Sequence, residues 1–219
     1  MSAKIKLKRR VVPLQNDSAD YISPLMHGDN NYGLLIESKN NELSNSWDYP
    51  LKRDYYRLDC STGEKTLIAK NIGYNTSISP SGKYFVYYDG EESVWYCVNI
   101  DNQTRIKISN FLTDNNQVLA NLESEIPAKP YAFGISGWSE NEEWVLVNTK
   151  YDIWKVDPTG QKPSVSLTNG YADENHIDID YKNFDYDHDY IKLDSIMLLM
   201  GRNVDDNSEG FFARFVNAE

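Results

Sequence analysis

Three histidines, two cysteines, a run of aspartates and two glutamate pairs are the side chains here whose types could do chemistry beyond packing. His27, His176 and His188 lie far apart, and with Cys60 and Cys97 they give none of the close pairings a zinc site needs. Asp178, Asp180, Asp185, Asp187 and Asp189 are spaced closely enough to suggest Ca²⁺. They lack the central Gly and the distal Glu of a helix–loop–helix calcium loop, so a solvated insertion is expected. Glu91-Glu92 and Glu142-Glu143 fall at predicted turns, where exposure is the ordinary state. Gly134-Ile135-Ser136-Gly137-Trp138 is the string nearest to a Gly-x-Ser-x-Gly nucleophile elbow, but it ends in Trp and sits in a predicted strand. No Gly-rich loop suited to phosphate is present. The sequence therefore assigns no catalytic, cofactor-binding or metal-binding residue.

Composition narrows the partners. The 219 residues carry a net charge of -11, which argues against a nucleic-acid surface, where clustered Lys and Arg must neutralise phosphates. No apolar stretch reaches the length of a membrane span. The start, Met1 to Arg10, is basic without an apolar core, unlike a signal peptide. From Lys4 to Lys8 basic and aliphatic residues alternate, the period of a half-exposed strand. Sixteen Tyr and five Trp suit pleated, half-buried surfaces.

The elements that would position any site are set by a repeat. Tyr55-Tyr56-Arg57-Leu58-Asp59, Trp95-Tyr96-Cys97-Val98-Asn99 and Ile153-Trp154-Lys155-Val156-Asp157 each end an apolar run on Asp or Asn. A polar turn and a second apolar run follow each one. A weaker fourth copy runs from Phe211 to Asn217. Asp59 and Asn99 are 40 residues apart, the length of a four-stranded propeller blade; Asn99 and Asp157 are 58 apart. An insertion of about 18 residues within Asn110 to Pro130 accounts for the difference.

Within this frame Tyr84 to Tyr88 and Trp144 to Val147 are apolar on both faces, as strands sandwiched between sheets must be. Ser195 to Met200 is the corresponding strand of the fourth unit. Ser79-Pro80-Ser81-Gly82 reads as a tight turn, with Pro setting one φ and Gly free to take positive φ. Tyr55 to Asp59 and Tyr151 to Asp157 read as outer strands. One short amphipathic helix is predicted over Gln117 to Glu125. Cys60 and Cys97 stand at different offsets in neighbouring repeats, so both are expected as free thiols. The chain reads as all-β: a single partial β-propeller over 1-219. It has about four blades, each a four-stranded antiparallel sheet, divided near 5-59, 60-99, 100-157 and 158-217. An arc of this kind is expected to self-associate through its end blades or to cover them with its own termini, Met1 to Val12 above all.

Ser79-Pro80-Ser81-Gly82-Lys83 ahead of an aromatic strand resembles the WD40-like repeats of the TolB propeller and of prolyl oligopeptidase-type serine peptidases. Gly137-Trp138-Ser139-Glu140-Asn141, Glu143 to Val147, Tyr151 to Gly160 and Leu167 to Tyr171 resemble the propeller of Bacteroidetes-type members of the S9 peptidase family. The resemblance implies a non-catalytic domain that gates peptide substrates on their way to an α/β-hydrolase domain, in a periplasmic or exported parent. These residues hold no nucleophile elbow, so no catalytic residue carries over and no cofactor is implied. Some such relatives hold a substrate amine with paired glutamates; at Glu91-Glu92 and Glu142-Glu143 a turn position is the expected role instead. The alternative is a free-standing TolB-like propeller that binds a protein or peptide.

Overall fold

A computed structural model describes residues 20–26, 28, 31–38, 43, 46, 51–73, 75–122, 129–185 and 187–215. Their strands form four antiparallel sheets in chain order. Sheet 1 holds β1 (Tyr21–Pro24), β2 (Tyr32–Glu37), β3 (Arg53–Asp59) and β4 (Lys65–Ile72). Sheet 2 holds β5 (Thr76–Ile78), β6 (Tyr84–Asp89), β7 (Val94–Asn99) and β8 (Arg105–Lys107). Helix α1 (Asn110–Asp114) precedes sheet 3, made of β9 (Ile135–Trp138), β10 (Val145–Asn148), β11 (Ile153–Val156) and β12 (Val165–Ser166). Helix α2 (Tyr171–Glu174) precedes sheet 4, which among the described residues has three strands: β13 (Ile177–Tyr181), β14 (Ile196–Asn203) and β15 (Glu209–Phe215). The all-β, propeller-like architecture expected from the repeat is thus present, with one sheet a strand short of four.

The sheets stack because their inner strands have two apolar faces. On β6, Phe85 and Tyr87 join Leu34, Tyr55 and Ile68 of sheet 1 in one core, while Tyr84, Val86 and Tyr88 join Trp138, Val145 and Val147 of sheet 3 in another. A third core joins Leu146 and Ile153 to Ile177, Ile179, Met197 and Leu199 of sheet 4. Fully burying a side chain of this size contributes about 1.5–3 kcal/mol. Trp144 lies just ahead of β10 and is half-buried, so the buried strand starts one residue later than expected. Trp138 ties neighbouring sheets with a polar bond as well: its Nε1–H donates to Ser77 Oγ at 2.9 Å.

Each clear repeat copy lies on the third strand of a sheet, and so does Phe211 at the start of the fourth copy. This corrects the reading of Tyr55 to Asp59 and Tyr151 to Asp157 as outer strands, since β4 and β12 lie outside them. The divisions drawn at 59/60, 99/100 and 157/158 fall inside the hairpin between the third and fourth strands. The repeated Asp or Asn marks that hairpin rather than the border of a sheet.

The helix expected over Gln117 to Glu125 is absent from 117–122. A single helical turn ends earlier, where Asn116 takes φ 57° and the Gln117 N–H donates back to Leu112 O at 2.8 Å. That six-to-one closure stops the helix before the expected segment begins.

The two ends of the stack differ. On sheet 1, Leu35 and Leu58 occupy the face turned from sheet 2 and are buried. On sheet 4, Ile196 is 58% and Phe211 71% exposed. Residues 1–12, expected as a cover, lie outside the described residues, as does His27.

Candidate functional site

The serines that might have acted as nucleophiles are built into turns. The Ser79 hydroxyl accepts the Tyr84 N–H at 3.1 Å while the Ser79 N–H donates to Tyr84 O. Ser139 and Trp144 repeat the same exchange, the hydroxyl contact being 3.0 Å. Each turn needs one left-handed residue, Gly82 at φ 70° and Glu142 at φ 57°. At Gly82 a Cβ would also stand 3.0 Å from the Leu25 carbonyl. Ser136, in the elbow-like string, lies on a paired strand and donates to Asn148 Oδ1 at 2.6 Å.

The repeated Asp and Asn are equally committed. Asp59 Oδ1 accepts the N–H groups of Ser61 and Thr62, and Asn99 Oδ1 those of Asp101 and Asn102. Asp89 does the same for Glu91 and Glu92, and Asn203 for Asp205 and Asp206. Side-chain oxygens placed this way mimic a backbone turn. Asp157 accepts the N–H groups of Thr159, Gln161 and Lys162. Burial would raise its pKa, but these donors outweigh it and hold the carboxyl below its ordinary value.

The glutamate pairs do not converge. Glu91 and Glu92 follow β6, whereas Glu142 and Glu143 precede β10, at the opposite end of its sheet. Glu91 pairs with Lys129, and Glu92 with Lys107 at 2.5 Å. Glu142 crosses to the neighbouring turn and accepts from Ser81 N and Oγ, and Glu143 lies 3.6 Å from Lys162. The aspartate cluster is dispersed into ion pairs: Asp178 with Arg202, Asp180 with Lys182, Asp185 with His188 and Lys192. His176 meets Asp205 at 3.0 Å. Among the described residues no group of three or more His, Cys, Asp or Glu is placed to hold a metal. Cys60 is an exposed free thiol; Cys97 is a buried one, its pKa pushed up to about 12 by burial.

What the fold does bring together is a cationic and aromatic cleft of about 310 Å³ between sheets 1 and 2. Lys70 comes from the end of β4, Arg105 from the start of β8, Lys52 from ahead of β3 and Lys129 from the segment before β9. Tyr87 and Tyr88 line it from the end of β6, and Tyr131 lies beside them. Arg105 packs 3.6 Å over the ring of Tyr96 and 5.5 Å from that of Tyr87, with Asp89 at 3.8 Å. Stacking of this kind holds a guanidinium in place while leaving its edge to hydrogen-bond. Burial raises the Tyr87 hydroxyl to about 12, so it remains a donor at neutral pH. Asp89 and Glu91 are the acids of the lining, set against four cations. The chain as a whole has the opposite balance, at -11. The described lining contains no Ser, His or Cys. It can hold an anionic group on donors and tyrosine rings.

Sequence reasoning missed this cleft. Its cations are scattered between residues 52 and 129, and only the pairing of the sheets brings them together. The sequence carries no signal that groups them, and Lys129 falls in the stretch read as an insertion.

No helix among the described residues is long and apolar enough to cross a membrane. No protein-family model matches the chain. No curated protein matches it either. Among solved structures, a protein assigned as TolB from Agrobacterium tumefaciens shares 16% identity, covering 84% of this chain and 62% of that one, with a TM-score of 0.38. Pyrococcus horikoshii acylaminoacyl peptidase shares 9% identity over 90% of this chain and 25% of its own, with a TM-score of 0.34. TolB from Acinetobacter baumannii shares 11% over 84% and 52%, with a TM-score of 0.28. The chain thus spans less than two thirds of the length of each. Similarity at this level assigns neither a family nor an activity.

Proposed function

We propose that this chain is a partial β-propeller domain whose work is binding, and that the cleft between sheets 1 and 2 takes an acidic, extended stretch of polypeptide. The observation that supports this is the local reversal of charge: four cations against two carboxylates, over tyrosine rings, in a chain at -11. Complementary potential of that kind steers an anionic partner and fixes its orientation. Peptide carboxylates fit the arrangement better than nucleic acid, whose many phosphates would be repelled by a chain at -11.

The finer reading rests on the sequence resemblance across Gly134 to Tyr171. In it the domain belongs to an S9-type serine peptidase of the periplasm or an exported location and admits peptides to an α/β-hydrolase domain. The alternative is a free-standing TolB-like propeller with a protein partner. Sequencing the gene beyond the codon for Glu219 separates the two: a hydrolase domain following it supports the first, and a stop codon or unrelated domain contradicts it.

Fluorescence anisotropy with a labelled Glu/Tyr-rich peptide tests the binding itself. Charge-assisted hydrogen bonds contribute about 1.5–3 kcal/mol each, so Arg105→Gln should weaken binding about tenfold or more. Lys70→Glu should weaken it further, and raised salt should reduce it in the wild type. Equal affinity of wild type and both variants, or tighter binding of a Lys/Tyr-rich peptide, would contradict the assignment.

A further inference from the structure

The junction of sheets 3 and 4 carries a second feature, independent of the cleft. The chain has one Asn-Gly pair, Asn169-Gly170, and it lies there. In such a pair the backbone nitrogen of the glycine can attack the side-chain amide before it, because glycine has no Cβ to hinder the approach. Asn169 takes φ 54° and Gly170 φ 85°, a left-handed pair that turns the chain from β12 into α2. Asn169 is exposed to water, and no atom beyond the adjoining residues lies within 4 Å of the point where a Cβ would stand on Gly170.

The fold aims three groups at this amide. The Gly170 N–H donates to Ser166 Oγ at 3.0 Å, and the Ser166 hydroxyl donates in turn to Asp152 Oδ2. Asp152 is fully buried, and burial raises its pKa, which makes its carboxylate a stronger base than an exposed one. On the other side, Asn169 Oδ1 accepts from Arg214 Nη2 at 3.2 Å. A guanidinium on that oxygen stabilises the negative charge that develops there when the amide carbon is attacked. A nucleophile, a relay to a base and an oxyanion donor thus meet at one side chain.

The same place lacks an anion. Lys155 shares a face of β11 with Ile153, and Arg214 shares a face of β15 with Phe212. Ile153 and Phe212 both belong to the core between sheets 3 and 4, so the two cations face each other across the junction. Burial lowers the pKa of Lys155, and the charge of Arg214 lowers it further. Arg214 meets Asn169, and Lys155 lies 5.4 Å from the Trp144 ring; neither meets a carboxylate among the described residues.

We propose that Asn169 is a self-modifying site, where the fold drives deamidation with water as the co-reactant and sets the new carboxylate against Arg214. The Gly170 proton passes to Ser166 as the Ser166 proton passes to Asp152. The Gly170 nitrogen bonds to Asn169 Cγ, and the bond from Cγ to the side-chain nitrogen breaks. The departing NH₂ group takes up one proton, equal to the one removed from Gly170, and leaves as ammonia. Water then opens the cyclic succinimide to aspartate or isoaspartate. No oxidation or reduction is involved.

Peptide mapping by mass spectrometry, on the full chain incubated in neutral buffer, tests the proposal. Asn169 should convert to the acid through a succinimide that has lost ammonia. Conversion should be about tenfold or more faster in the native chain than in the same chain unfolded in guanidinium chloride, where relay and guanidinium are dispersed. Ser166→Ala breaks the relay and Arg214→Leu removes the oxyanion donor; each should slow native conversion about tenfold or more. Unfolded, both variants should convert at the wild-type rate. Arg214→Leu leaves the Asp152 bonds in place, so it decides the matter even where Ser166→Ala loosens the fold. A native chain that keeps Asn169 intact while the unfolded chain converts, or equal native rates in wild type and Arg214→Leu, would overturn the proposal.

Discussion

Replacing Asp152 tests whether the junction of sheets 3 and 4 is held as described. The residue is fully buried. Its Oδ1 accepts the Ile153 N–H at 2.7 Å, and its Oδ2 accepts the hydroxyls of Ser166 and, at 2.7 Å, Thr168. Those hydroxyls in turn accept the N–H groups of Gly170 and Ala172, which start α2. Asp152→Ala strands one buried N–H, at about 1–3 kcal/mol, and removes two charge-assisted bonds whose hydroxyls retain only part of their pairing. The expected loss is about 3–5 kcal/mol, a large share of the 5–15 kcal/mol typical of a domain. Asp152→Asn keeps an acceptor for Ile153, and its NH₂ can donate to the same two oxygens. It should cost no more than about 1 kcal/mol at pH 7. Burial raises the pKa of Asp152 above the ordinary value despite its hydrogen bonds. The folded state therefore binds this proton more tightly than the unfolded one. The wild type's stability relative to Asp152→Asn is greatest below about pH 4 and falls as pH rises through the raised value. Urea unfolding followed by tryptophan fluorescence, at pH 3.5 and pH 7, measures all three proteins. An Ala variant as stable as wild type, or an Asn variant as weak as Ala, would refute the reasoning.

Four further outcomes are expected. A thiol reagent should modify exposed Cys60 quickly in the native protein and Cys97 only on unfolding, two thiols in all; two fast thiols would contradict the burial of Cys97. Gly201→Ala should destabilise by about 1–3 kcal/mol or more in urea unfolding, because a Cβ there would stand 2.5 Å from the Phe212 ring and 2.7 Å from Ile177. Asp157 has a lowered carboxyl, so its contribution is present above its ordinary pKa and is lost as pH falls through the lower folded value; the stability gap between wild type and Asp157→Asn should close below about pH 4. A fluorophosphonate probe should label no serine of this chain, given the structural duties of Ser79, Ser136 and Ser139; labelling lost on denaturation would show a nucleophile.

The parts of the fold that the sequence made legible are those with a single physical solution. Tyr84 to Tyr88 has no polar face, so it had to lie between two sheets, and it does. Ile177-Asp178-Ile179-Asp180 alternates, and β13 turns both isoleucines inward. The phase of the blades was not legible, because Asp59, Asn99 and Asp157 cap a hairpin and carry no mark of where one sheet gives way to the next. The helix was misplaced because Asn116 adopts a left-handed conformation that its residue type permits without requiring. The partners of several acids were not legible either, because Arg202 beside Asp178 and Lys107 beside Glu92 come from other segments of the chain. The cleft was illegible for the same reason: Lys70 and Arg105 are neighbours only once β4 and β8 have taken their places in adjacent sheets.

Chemical-shift mapping with the acidic peptide tests the central claim most directly. On titrating the isotope-labelled full chain, the amides that move should cluster at Lys70 to Gly73, Tyr88 to Glu91, Arg105 and Lys129 to Tyr131, and the shifts should shrink as salt is raised. Shifts centred on another surface, or none at millimolar peptide, would contradict the account of this chain as a polypeptide-binding propeller domain that uses its cationic cleft.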